Sequence, residues 1–268
     1  MLAFSDARLG SVPRAGQAAR VGSPRSRCGS VAEVPGRLIL WDVDHTLINA
    51  GRAGWRVYQL AFGEMFGRDV PAAPSMAGRT DRAIALEALA LAGVPHPRSQ
   101  VDAFQRLLAE LAPGVADLVR EQGRVLPGAA EAVRALAGAR WDGGPVVQSV
   151  LTGNMQVMAQ VKLGALGLDR DLDLRVGAYG DAHEIRADLV PLARASATAA
   201  YGADFSGAAT VLVGDTPLDV EAAQVAGARA VAVASGEFSV ADLMASGADA
   251  VLPDLTDTAA VLAAVLPA

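Results

Sequence analysis

The chain alternates between short apolar runs and longer stretches of helical periodicity. Leu38-Ile39-Leu40-Trp41 is apolar at successive positions and ends in acids, as a strand buried on both faces does. Comparable runs recur at Val146–Leu151, Leu172–Ala178, Thr210–Val213, Ala228–Ala234 and Ala250–Leu252. Between them, Ala129, Ala132, Val133 and Leu136 form an i, i+3, i+4, i+7 stripe, and Met158, Val161, Ala165 and Leu168 a similar one. Strands alternating with helices predict an α/β fold with a parallel sheet covered on both faces.

Residues 50–124 break the alternation. They contain no strand pattern but at least three helical segments, one marked by Val57, Leu60, Ala61 and Met65, the others over 79–92 and 100–122. Pro71, Pro74, Pro95 and Pro97 punctuate them. This segment is predicted to be a small helical domain, with 36–49 and 125–268 forming the core. Residues 1–35 are expected to be a flexible Arg/Gly/Ser-rich tail, and ordered structure to begin at Arg37. No apolar region follows the tail's arginines, which excludes a secretory signal and leaves an organellar transit peptide as the alternative.

Composition narrows the function. A net charge of −6 and 4% aromatic residues argue against a dedicated nucleic-acid binder. No apolar run approaches the roughly 18 residues of a membrane span. The single cysteine, Cys28, excludes an internal disulfide or multi-cysteine zinc site. A cytoplasmic monomer or homodimer is expected.

Four polar clusters follow predicted strand ends, where ligands collect in open parallel sheets. In Asp42-Val43-Asp44-His45-Thr46-Leu47, a strand that breaks after Asp42 lets both acids face one pocket, one as nucleophile and one as proton carrier. The alternative is a strand-end turn. Thr152-Gly153-Asn154 offers a hydroxyl and free backbone N–H groups to an anion, or a simple helix cap. Arg186 opens the helix running to about Tyr201 and is either a phosphate clamp or a solvated surface residue. Lys162, the only lysine, competes for that role from within a helix and is expected on its solvated face. In Gly214-Asp215-Thr216-Pro217-Leu218-Asp219, Asp215 can ligate Mg²⁺, and Asp219 can assist it or complement the next helix.

The spacing joins these clusters: 110 residues from Asp42 to Thr152, 34 on to Arg186 and 29 on to Asp215. In this order the sequence resembles the haloacid dehalogenase-like (HAD) hydrolase superfamily, from about residue 37 to 252. D-x-D-x-T-L is similar to its first motif, Leu-Thr-Gly-Asn to its second and G-D-T-P-L-D to its fourth. The branch most resembled is phosphoglycolate phosphatase-like. Its helical cap lies where 50–124 does, and a cap loop of that branch is similar to Gly78-Arg79-Thr80-Asp81. The resemblance implies a Rossmann-like three-layer core plus an all-helical cap. It implies Asp42 as the nucleophile and Asp44 as the acid and base. Mg²⁺ would be held by Asp42, the Asp44 main-chain carbonyl and Asp215, with Asp219 as a further candidate. Thr152 and Gly153 would hold the phosphoryl oxygens, Arg186 would fill the third motif, and Arg79 would reach the substrate.

Two positions depart from the family pattern. The third motif is usually Lys, and Arg is no drop-in replacement. His45 stands where the family usually has Gly, which reflects either backbone crowding or a positive φ; its imidazole either turns away, leaving only its backbone N–H to matter, or touches the substrate or shifts the pH range of the site. Arg52, Trp55 and Tyr58 lie just after the first motif and face either cleft or core. Met155 and Met158 are expected in the core, His96 and His183 on the surface.

The resemblance implies a Mg²⁺-dependent phosphatase acting on a small phosphorylated metabolite. Asp44 argues against dehalogenase chemistry, and the absence of lysine from 50–124 argues against a phosphonate hydrolase. A sugar-phosphate mutase shares every core motif. A non-catalytic ligand-binding relative would be expected to lack one of the three acids, and all are present.

Overall fold

The computed structural model describes residues 34–70, 74–142 and 144–267. Its centre is a sheet whose main strands are β1 (Arg37–Trp41), β2 (Gly144–Thr152), β3 (Thr210–Gly214), β4 (Arg229–Val233) and β5 (Ala250–Leu252). They lie parallel in the order β5-β4-β3-β1-β2. Short strands complete the β2 side: Arg140–Trp141 pairs antiparallel with the start of β2, and Ala178–Tyr179 parallel with its end.

Alternation along β1 explains the layers, because successive side chains of a strand point to opposite faces. Ile39 and Trp41 pack on one face with α5 (Ala129–Leu136), α6 (Gln156–Ala165) and α10 (Thr258–Val265). Leu38 and Leu40 pack on the other with α7 (Leu189–Tyr201), α8 (Pro217–Val225) and α9 (Val240–Ala245). Helices on both faces keep β1 dry, so it reads as a continuous apolar run.

Four helices fill most of the insertion: α1 (Ala53–Phe66), α2 (Asp81–Leu91), α3 (Pro97–Leu111) and α4 (Ala116–Gln122). They bury a core of their own around Phe62, Phe104 and Leu89, which Met155 and Met158 join from the main body. The chain leaves and re-enters through an antiparallel pair, Ile48–Asn49 with Arg124–Val125.

Three expectations change. Regular structure begins before Arg37, since Val34–Pro35 pairs with Ala203–Asp204; the rest of the predicted tail lies outside the described residues. The predicted strand over Leu172–Ala178 shrinks to Ala178–Tyr179. Asp173 there is drawn into a turn, its N–H donating to Gln148 O at 2.8 Å and its carboxylate pairing with Arg175. The buried face of α6 is Met158, Ala159, Lys162 and Leu163, rotated from the predicted stripe. Among the described residues no helix is long and apolar enough to cross a membrane.

Candidate active site

β1, β2 and β3 are adjacent and parallel, so the residues just past their carboxyl ends meet. Asp42 still holds sheet register, its N–H donating to Val213 O at 2.7 Å. The chain then turns back: Leu47 and Ile48 N–H both donate to Val43 O, and His45 takes φ +63°. Of the two readings of this position, the positive φ is thus present, on a residue that tolerates it less well than glycine. The exposed His45 side chain lines the cavity. Its N–H is engaged by Ile48 O at 2.7 Å, so the turn and not the substrate takes that donor.

A cavity of about 400 Å³ opens here, lined by Asp42, Asp44, His45, Arg79, Thr152, Gly153, Arg186 and Asp215 among others. Every residue predicted for the site borders it except Asp219, which stands behind.

Two ion pairs organise the charges, Arg186–Asp42 buried and Lys162–Asp44 half-buried. Arg186 opens a short 3-10 turn before α7 and is 6% exposed, which excludes the solvated reading. Its Nη2 lies 2.6 Å from Asp42 Oδ1 and 2.6 Å from Asp219 Oδ1, and donates to Leu151 O at 3.1 Å. Nη1 donates to Gly78 O at 3.3 Å, in the loop before α2. Nε is buried without an acceptor among the described residues. The second pair corrects an expectation. Lys162 is 4% exposed, not solvated; its Nζ lies 2.5 Å from Asp44 Oδ2 and 2.6 Å from Asn154 Oδ1. Asn154 Nδ2 also donates to Asp44 Oδ2, at 2.8 Å. The cue was available in the sequence, because Lys162 lies four residues from Met158 and shares its face.

These partners divide the acids. Burial pushes Asp42 up to about 7; Arg186 opposes that shift and Asp219 adds to it. Burial also raises Asp215, to about 8, with repulsion from Asp42 and Asp219. For Asp44, burial is outweighed by the charge and hydrogen bond of Lys162 and by Asn154, and its carboxyl is held below the usual range. Arg186 is raised: burial disfavours its charge, but Asp219 and Asp42 more than compensate.

Oxygens of Asp42, Asp215 and Asp219 lie within 4.8 Å of one another. Asp219 is already committed. Its Oδ1 faces Arg186, and its Oδ2 accepts from Thr216 N at 3.1 Å and Thr216 Oγ1 at 2.6 Å, closing the capping box of α8. Among the described residues, Thr46 Oγ1 is the one side-chain donor to Asp215, at 3.3 Å. Two buried, mutually repelling carboxylates with spare oxygens fit a hard divalent cation.

The Thr152 hydroxyl and the Asn154 N–H expected to be free are joined within the turn. The hydroxyl oxygen accepts from Asn154 N and Nδ2, at 3.2 and 2.8 Å, and Thr152 also borders the cavity. It does not cap α6, whose N-cap is Met155. At Gly153 a Cβ would stand 1.9 Å from Arg79 O, so only glycine lets the loop before α2 approach. Arg79 borders the cavity, with Nη1 held by Ser75 O and the Glu87 carboxylate. Asp81, two residues on, accepts from Met155 N at 2.7 Å and Tyr58 OH at 3.2 Å, and burial raises it to about 6. Asn154 and Thr46 are the partners that sequence reasoning did not separate from their motifs.

A parallel α/β core with acids gathered at its strand ends, beneath a helical insertion, defines the class. A family model described as haloacid dehalogenase-like hydrolase matches residues 39–224, more than half of the chain, and the protein belongs to that family. Solved structures agree in fold. A Clostridium acetobutylicum protein assigned as a phosphatase shares 16% identity over 85% of this chain and 98% of its own, with a TM-score of 0.60. A haloacid dehalogenase-like hydrolase from Streptococcus pneumoniae gives 16% identity, 84% and 98% coverage and 0.55. A Thermotoga maritima protein assigned as a β-phosphoglucomutase gives 18%, 86%, 100% and 0.53. No curated protein matches the sequence.

Proposed function

We propose that the protein is a Mg²⁺-dependent phosphatase that hydrolyses a small phosphomonoester through an aspartyl-phosphate on Asp42. The observation that carries this reading is the opposite treatment of two acids two residues apart. Asp42 is paired with Arg186, while Asp44 is paired with Lys162 and Asn154, and both face one cavity.

An oxygen of Asp42 attacks phosphorus, and the bond from phosphorus to the ester oxygen breaks. The departing alkoxide takes a proton from the Asp44–Lys162 pair. In the second half, that pair takes a proton from water as the water oxygen attacks phosphorus. The Asp42–phosphorus bond then breaks, releasing phosphate and restoring the carboxylate. The net change is monoester plus water to alcohol plus phosphate. Arg186 neutralises the developing charge, and Thr152 and Gly153 border the same space. Asp42 and Asp215 would hold Mg²⁺ with the Asp44 main-chain carbonyl, and the ion would supply the positive charge that lets acids and phosphate share the pocket. We read the insertion over 50–124 as the cap that excludes water.

The likeness to a protein assigned as a β-phosphoglucomutase keeps a mutase as the second reading. The test is release of inorganic phosphate from p-nitrophenyl phosphate with Mg²⁺, by the parent and by Asp42→Asn. Near-normal turnover in the variant removes Asp42 as the nucleophile. Isomer formation from a hexose phosphate without phosphate release would favour the mutase.

A further inference from the structure

The cavity has two unlike walls. The wall at the strand ends is ionic. The rest of the lining includes an apolar wall of Trp55 and Tyr58 of α1, Ile84 of α2, Met76 of the preceding loop, and Met155 and Met158 at the start of α6. Tyr58, Ile84, Met155 and Met158 are buried, and the indole of Trp55 is half-buried. The Trp55 and Tyr58 rings stack, with centroids 6.2 Å apart and planes inclined by 16°.

The Tyr58 hydroxyl, Asp81 and one nitrogen of Arg79 already have partners. Tyr58 OH donates to Asp81, whose other carboxylate oxygen accepts from Met155 N, and the Arg79 guanidinium is held by Ser75 O and Glu87. A polyhydroxylated alcohol would bring donors and acceptors that this wall does not satisfy, and unmet buried hydrogen bonds are costly. A second carboxylate on the substrate would meet Asp81, and an arginine whose Nη1 is already paired with Glu87. A hydrocarbon group would cover the aromatic and methionine surface without losing any hydrogen bond.

We propose that the alcohol portion of the substrate is an apolar, ring-sized hydrocarbon packed against Trp55 and Tyr58, not a sugar or a small hydroxy acid. This rests on the phosphatase reading and names the substrate class of that site.

The test compares monoesters that all release a primary alcohol, so that intrinsic reactivity is matched: 2-phenylethyl phosphate, glycerol 1-phosphate and glucose 6-phosphate. Burying a phenyl group predicts a kcat/KM for 2-phenylethyl phosphate about 30-fold above the other two. Trp55→Ala is expected to cut that preference about tenfold, and Trp55→Phe to restore most of it. Equal or inverted ranking among the monoesters overturns the proposal, and so does a preference that Trp55→Ala leaves intact. Calorimetry with 3-phenylpropylphosphonate and 3-hydroxypropylphosphonate reads the same wall without turnover. Tighter binding of the phenyl compound upholds the proposal even if no monoester is hydrolysed, a result that would count against the phosphatase reading alone. Equal affinities overturn it.

Discussion

The two walls of the cavity are held together by different physics. At the strand ends, buried and half-buried charges are fixed in pairs: Asp42 with Arg186, Asp44 with Lys162, Asp219 with Arg186 and its own helix cap. In the helical insertion, Phe62 and Phe104 pack edge against face with Phe66 tilted against both, and shape and burial do the stabilising. Paired charges are intolerant, because removing one partner leaves the other buried and uncompensated. Packed hydrocarbon is forgiving, since volume-conserving exchange usually costs little. On the proposed reading, chemistry belongs to the strand ends, and selectivity can vary in the insertion.

The contrast can be broken most severely at Asp42. Asp42→Asn should lower p-nitrophenyl phosphate turnover by about 10³-fold or more. EDTA should have a comparable effect, reversed by added Mg²⁺. Arg186→Ala comes next. It strips the cation from Asp42 and Asp219 together, and should remove most activity while destabilising the fold by about 3–5 kcal/mol in urea titration. Lys162→Ala should cost less turnover than Arg186→Ala, because Asn154 still holds Asp44; the opposite ranking would move the phosphate-facing role to Lys162.

A smaller effect concerns pH. Asp42 and Asp215 titrate at about 7 and about 8 when folded, above their unfolded values. Their protonated forms thus favour the folded state fully below about pH 4, and that advantage is lost as pH rises through 7 to 8. Metal-free protein should lose roughly 5 °C of Tm between about pH 5 and 8.5 in a thermal scan. Saturating Mg²⁺ should flatten the decline; a Tm that climbs over this interval without metal would show that the two acids do not oppose each other. The smallest effect is expected at Arg98–Glu184, an exposed ion pair joining α3 to the core. Arg98→Ala should leave Tm unchanged within measurement.

Strands and sequence order were legible because a strand covered on both faces must be apolar at every position, as Leu38–Trp41 is. The acids were legible for a related reason: a charge immediately after such a run marks where the strand leaves the sheet. Lys162 was misread because helical periodicity reports hydrophobicity, and a cation on the buried face contributes the wrong sign. The strand predicted over Leu172–Ala178 failed because Asp173 and Arg175 pair locally and hold a turn. The apolar cavity wall was equally hidden, since a tryptophan or methionine facing a ligand looks the same in sequence as one facing a core.

Residue identity alone determined which acids stand at the strand ends and in what order, since that is a matter of local pattern. Tertiary structure alone decided which cation meets which acid. Arg186 and Asp42 lie 144 residues apart, and Lys162 and Asp44 lie 118 apart. Such partnerships are set by which strands become neighbours, and no local pattern encodes that.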